Sequence, residues 1–194
     1  MHSNIEIEAK VLLQKEQYDQ VVSYLHLERY KKIKQTNHYI DSTSRVLRDN
    51  DFALRVREKD DFVLTLKTPL SEGLLEKNQT LSWREYDALE DESIFPIGNI
   101  KSFLELCGFN TRELQVLASL TTYRIEFEYE DGLVSLDENH YGKNGKVVDY
   151  ELEIESASME RAEESVKRLL QEAGITDFKF NTLSKQARAL EASL

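Results

Sequence analysis

Glu6, Glu8 and Lys10 stand at alternate positions in Ile5-Glu6-Ile7-Glu8-Ala9-Lys10, and Glu151-Leu152-Glu153-Ile154-Glu155 repeats the format with carboxylates. In a β-strand, residues two apart point to one face roughly 6.5–7 Å from each other, so each segment lines one side with charge and the other with Ile, Leu or Ala. If the two segments are neighbours in a sheet, their carboxylates gather on one surface, and hard carboxylate oxygens are the ligands that Mg²⁺ or Mn²⁺ requires. Cations recur in the same alternation. Arg55 and Arg57 oppose Leu54 and Val56, Lys67 opposes Leu64 and Leu66, and Arg124 opposes Tyr123 and Ile125. The planar fork of arginine suits a bidentate grip on phosphate oxygens better than it suits solvation.

The elements that must position these residues follow from periodicity. Alternating or β-rich stretches occur at about 4–12, 35–42, 52–59, 62–68, 80–87, 121–130, 133–138 and 147–155, with turn-like Asp60-Asp61 and Asp131-Gly132 between them. That predicts about eight strands, mostly antiparallel where the connections are short. Helical stripes appear at Tyr18, Val21, Val22 and Leu25, and at Ile100, Phe103, Leu104 and Cys107. A third helix has Ser158 as its cap, Ala162, Val166, Leu169, Leu170 and Ala173 as its apolar face, and Gly174 at its end. A last short helix is expected over 182–192. No internal repeat, low-complexity tract or linker divides the 194 residues, which predicts one domain over 1–194.

Two arrangements satisfy strands that each carry one charged face. The charged faces are wet and the apolar faces pack on helices, or the sheet closes with charge inward and apolar side outward. Segregation of sign favours the second: arginine on the central strands, carboxylates on Glu6, Glu8, Asp137, Glu151 and Glu153. A closed sheet of this kind is a polar tunnel that amphipathic helices must cover from outside. Triphosphate with a divalent cation fits it, each ligand neutralising the other and the walls.

A net charge of −11 argues against a surface built for duplex nucleic acid or an anionic membrane. No N-terminal basic and apolar leader and no apolar run of membrane-spanning length is present, which predicts a soluble, cytoplasmic protein. Cys107, the single cysteine, cannot form an intramolecular disulfide and reads as buried filler. His2, His26, His38 and His140 lack ligand spacing, so no histidine metal site is expected.

The chain resembles the CYTH group of triphosphate tunnel metalloenzymes, whose hallmark is an N-terminal Glu-x-Glu-x-Lys, matched by Glu6-Ile7-Glu8-Ala9-Lys10. The match continues through Tyr39-Ile40-Asp41, Ala53-Leu54-Arg55-Val56-Arg57, Leu64-Thr65-Leu66-Lys67, Arg84-Glu85, Tyr123-Arg124, Val134-Ser135-Leu136-Asp137, Glu151-x-Glu153 and Ser184-Lys185, in order across almost the whole chain. The resemblance implies an α+β fold, an eight-stranded antiparallel β-barrel forming a tunnel with helices packed outside. It also implies that Lys10, Arg55, Arg57, Lys67, Arg124 and Lys185 hold the triphosphate. Glu6, Glu8, Asp137, Glu151 and Glu153 would bind or position Mg²⁺ or Mn²⁺. Lys10, Arg57 and Glu153 are the implied catalytic set, with Glu153 or Glu151 as a general base if one is needed. Glu85 is a weaker candidate, Arg84-Glu85 reading as a rim or structural salt bridge, Glu155 as a solvated strand end, and Tyr39 and Asp41 as a strand-end turn pair.

The implied reaction is metal-dependent hydrolysis of a small triphosphate, inorganic tripolyphosphate, thiamine triphosphate or a nucleotide, with release of phosphate. Trp83 and Tyr86 could stack on an organic ring, though a core or rim position suits them better. Rival readings are an adenylyl cyclase making cyclic AMP and a non-catalytic polyphosphate or nucleotide sensor; RNA 5′-end processing is disfavoured by the acidic exterior. Monomer and homodimer both remain compatible with the sequence.

Overall fold

The computed structural model describes residues 2–130, 132–142 and 145–193, so Asp131 of the expected Asp131-Gly132 turn lies outside the described residues. In chain order the elements are β1 (His2–Glu6), β2 (Glu8–Leu13), α1 (Lys15–Tyr24), β3 (Ile33–Asp41), β4 (Ala53–Glu58), β5 (Phe62–Pro69), β6 (Leu74–Leu81), α2 (Trp83–Glu92) and α3 (Asn99–Leu106). There follow β7 (Gln115–Tyr129), β8 (Gly132–Tyr141), β9 (Val147–Glu155), α4 (Met159–Glu172) and α5 (Lys185–Glu191). Among the described residues no helix is long and apolar enough to cross a membrane.

All neighbouring strands run antiparallel in the order β1-β6-β5-β4-β3-β7-β8-β9-β2. The ladder is not hydrogen-bonded shut. Its two outermost members, β1 on β6 and β2 on β9, are consecutive in the chain with only Ile7 between them. The expected eight strands are therefore nine, because the first is kinked at Ile7 and hands its pairing from one sheet edge to the other. Gly73 makes room for that passage. It sits at φ +75° in the turn between β5 and β6, and a Cβ there would lie 2.5 Å from the Glu6 carbonyl oxygen.

Which face is inside follows from the alternation. Ala9, Val11, Leu13, Ile125, Val134, Leu136, Leu152 and Ile154 point outward and are buried with Tyr18 and Val21 of α1 and Ala162, Val166, Leu169 and Leu170 of α4. Leu54, Val56, Leu64 and Leu66 point outward on the other side, under Tyr86 and Leu89 of α2 and Ile100 and Leu104 of α3. Each such fully buried aliphatic side chain contributes roughly 1.5–3 kcal/mol, so apolar packing outside the sheet is what holds the charged faces inward. α4 starts where expected, with the Ser158 hydroxyl accepting from the Arg161 amide, and ends at Gly174 with φ +80°.

Two expectations fail. Residues 80–87 are not a strand: β6 ends at Leu81, and Ser82 opens α2 through a capping box in which its hydroxyl accepts from the Glu85 amide while the Glu85 carboxylate accepts from the Ser82 amide at 2.8 Å. Cys107 is exposed rather than buried: α3 ends at Leu106 and Cys107 is its C-cap, beyond the turns that Ile100 and Leu104 bury.

Candidate functional site

The inward faces enclose a cavity of about 270 Å³. Register sets its layers. Lys10 of β2 lies opposite Glu153 of β9, and Glu8 opposite Glu155. Arg124 of β7 lies opposite Asp137 of β8, itself opposite Glu151. On the far wall Arg55 and Arg57 of β4 project beside Lys67 of β5, across from Asn37 and Tyr39 of β3. The structure brings together all the residues singled out for the tunnel: Glu6, Glu8, Lys10, Arg55, Arg57, Lys67, Arg124, Glu153 and Lys185 line the cavity, and Asp137 and Glu151 are fully buried directly behind it.

One end of the bore is filled by α5. Phe180 bridges to Val11, the Asn181 amide donates to the Lys10 carbonyl at 2.7 Å, and Ser184 caps the helix that then enters the barrel. Ala189 and Leu190 of α5 are buried with Tyr39, Ala118, Leu120 and Tyr141, so the wall changes there from charged to apolar. Lys185, on the first turn of α5, places its ammonium 3.0 Å from Asp137 and 2.6 Å from Glu153, and also against Glu151. Arg124 grips Asp137 through two bonds of 2.7 Å and reaches Glu153 at 2.8 Å. Burial opposes the charge on Glu153, but Lys185, Arg124 and Lys10 outweigh it and hold that carboxyl well below the usual range. Burial likewise opposes the charge of Lys185, and Glu151, Glu153 and Asp137 overcome it and raise the ammonium well above the ordinary lysine value.

The opposite end is acidic. Glu8 pairs with Lys10 at 2.7 Å, Lys67 contacts Glu6 and stands 3.5 Å from Glu76, and Glu155 has no cationic partner among the described residues. Desolvation at the rim, with Glu6 and Glu8 nearby, raises the Glu155 carboxyl. Glu6 and Glu8, with Glu76 and Glu155 beside them, line this end with hard oxygen donors, though no three of these side chains bring oxygens within 4.8 Å of one another. Asp137, Glu151 and Glu153 do bring oxygens that close, the spacing a metal ion needs, with Lys185 standing among them.

Between the two acidic groups lie Arg55 and Arg57. Among the described residues neither makes an ion pair; Arg57 donates to the Asn37 side chain at 3.4 Å, and Arg55 Nε is buried without a partner. The Arg55 guanidinium, then burial, then Arg124 depress Arg57 to about 9. Glu76 offsets this only in part, which is the electrostatic signature of a positive site short of counter-charge.

Four further residues named from the sequence lie outside the bore, in structural places that the sequence also allows. Glu85 is on exposed α2, spent on its capping box. Asp41 is buried and accepts from the amides of Ser42, Leu47 and Arg48, anchoring the loop after β3. Tyr86 stacks on Phe62 at 4.3 Å in the outer core, and Trp83 is exposed outside the barrel, so neither ring reaches the bore. Sequence reasoning missed Glu76, which lies in the strand it did not find, and Arg188, which binds Glu151 at 3.0 and 2.8 Å and Asp149 at 3.1 Å. Arg188 stands three residues after Lys185 on one helix face, a spacing that could have revealed it.

The model of the CYTH domain matches residues 4–187. The chain is 38% identical over 176 residues, 90% of each protein, to "Putative triphosphatase YjbK" of Bacillus subtilis (strain 168). The crystal structure of a "putative adenylate cyclase" from Bacillus halodurans superposes with a TM-score of 0.87 at 35% identity, covering 97% of this chain and 98% of that one. HpAC1 from Hippeastrum, described as a "putative adenylyl cyclase" with a dominant triphosphatase activity, shares the fold with a TM-score of 0.74 at 24% identity over 98% and 97% of the chains.

Proposed function

Because this chain belongs to the CYTH domain family, we propose that its tunnel binds a small triphosphate and hydrolyses it to diphosphate and phosphate with the help of Mg²⁺ or Mn²⁺. The observation that carries the reading is the pair Arg55 and Arg57, which line the bore and, among the described residues, contact no carboxylate. A relative 38% identical and bearing a triphosphatase name supports the same reaction.

Arg55, Arg57, Lys10 and Lys67 hold the phosphate oxygens and offset the charge that spreads over them as the terminal P–O bond breaks. Glu6 and Glu8 would hold the divalent ion, which would supply charge neutralisation and lower the pKa of a water. Glu153 orients Arg124, Lys185 and Lys10 rather than accepting a proton, since its oxygens are already engaged and its carboxyl is a weak base. The bore is lined mainly by polar side chains with Leu74 and Leu133 among them, and its one aromatic among the described residues, Tyr39, is buried at the α5 end, so no ring of the lining is placed to stack on a base or a thiazole at the mouth. Inorganic tripolyphosphate, which needs only charge, fits best.

The cyclase reading is favoured by one finding, the name of the Bacillus halodurans relative at 35% identity. Product analysis separates the readings. The protein is incubated with tripolyphosphate, thiamine triphosphate and ATP in Mg²⁺ or Mn²⁺. Phosphate from tripolyphosphate is the expected result; cyclic AMP with diphosphate from ATP would establish the cyclase, and binding without any turnover would establish a sensor.

A further inference from the structure

We infer that Lys185 is the resident cation of the buried Asp137, Glu151 and Glu153 cluster and stands in the place of a divalent ion there. The inference deepens the metal-dependent reading above, because it assigns the metal to the Glu6 and Glu8 end alone.

Every oxygen of the cluster already meets a nitrogen. Asp137 Oδ1 accepts from Arg124 Nε at 2.7 Å; its Oδ2 accepts from Arg124 Nη2 at 2.7 Å and faces Lys185 Nζ at 3.0 Å. Glu151 Oε1 accepts from Arg188 at 3.0 Å and from Asn181 at 3.1 Å, and its Oε2 from Arg188 at 2.8 Å and from Lys185. Glu153 divides its oxygens between Lys185 at 2.6 Å and Arg124 at 2.8 Å. Three carboxylates thus face three cations, Arg188 being shared with Asp149, and each oxygen a metal would use is already engaged. An entering ion would also displace an ammonium that has only 11% of its side chain exposed and sits at the filled end of the bore. At the other end Glu6, Glu8, Glu76 and Glu155 outnumber the lysines that contact them, Lys10 and Lys67, by two, Arg55 and Arg57 acting on Glu76 without touching it, which leaves carboxylate oxygens there for a divalent ion. Lys185 is therefore a positioning residue. It keeps the cluster closed and holds Arg124 toward the tunnel.

The test counts Mn²⁺ bound to the full chain without triphosphate, from the electron paramagnetic resonance signal of the free ion. Wild type and Lys185→Arg are expected to bind one ion, and folded Lys185→Met one more, lost again when Glu151→Gln is added. Two ions on the wild type, or no gain in folded Lys185→Met, overturns the inference. No ion on the wild type with one on Lys185→Met defeats the metal reading at Glu6 and Glu8 but leaves the role of Lys185 standing. If circular dichroism shows Lys185→Met unfolded, Asp137→Asn decides: an Mn²⁺ affinity within about threefold of wild type supports the inference, and a loss of tenfold or more refutes it.

Discussion

Arg57 finds one uncharged partner, the Asn37 amide at 3.4 Å, and otherwise faces a second guanidinium. Its removal should separate binding from folding. Arg57→Ala is expected to weaken tripolyphosphate binding roughly 10- to 150-fold, the equivalent of about 1.5–3 kcal/mol for hydrogen bonds to a charged group, by isothermal titration calorimetry. The melting temperature of the ligand-free protein should stay level or rise, because a like-charge neighbour has gone; a clear fall in it with affinity unchanged would make Arg57 structural. Glu8→Gln should abolish metal-dependent phosphate release while leaving the circular dichroism spectrum intact, and full activity in that variant would remove its assigned role. At this scale the alternation of charged and apolar residues was enough to find Glu6, Lys10, Arg55 and Arg124. Lys185 was reached only through the family resemblance, since a lysine on a short terminal helix ordinarily faces water. Glu76 and Arg188 went unread, although Arg188 follows Lys185 at helical spacing.

Strands and helices hold these side chains through a few identifiable joints. Gly73 combines φ +75° with the 2.5 Å approach to the Glu6 carbonyl, so Gly73→Ala should cost about 1–3 kcal/mol in urea melts and also depress turnover, because the added methyl pushes β1 where it carries Glu6. Arg188 fixes α5 to the barrel through Glu151 and Asp149. Arg188→Leu leaves Glu151 with less of its counter-charge in a fully buried position, and an expected loss of about 3–5 kcal/mol should be accompanied by faster hydrogen exchange across residues 185–191. An unaltered exchange rate there would show that apolar contacts alone retain the helix. The strands with one core face were legible because burial enforces a period of two. β6 was not: Leu74–Leu81 has one face on the wet bore and the other half-exposed, so its composition carries no apolar alternation. Its loss displaced the reading onto 80–87, where the Ser82–Glu85 box, a helix-start signal, had been available.

Over the whole molecule, helices packed outside the sheet hold its charged faces inward, and repulsion is left within both the acidic and the basic parts of the bore. Anion and metal should therefore assist each other. In thermal melts, tripolyphosphate with Mg²⁺ is expected to raise the melting temperature by more than the two separate increments combined, as two ligands that each favour the folded state and lessen each other's electrostatic cost. Strictly additive shifts would mean that the two bind without sensing one another. The closed end has a kinetic meaning as well. With α5 filling it, reactant and products share a single doorway, and a fragment lodged nearest Lys185 cannot depart until the one in front of it has gone. If the proposed hydrolysis runs in such a cul-de-sac, the fragment nearer the mouth leaves first and the deeper one is expected to inhibit the next cycle.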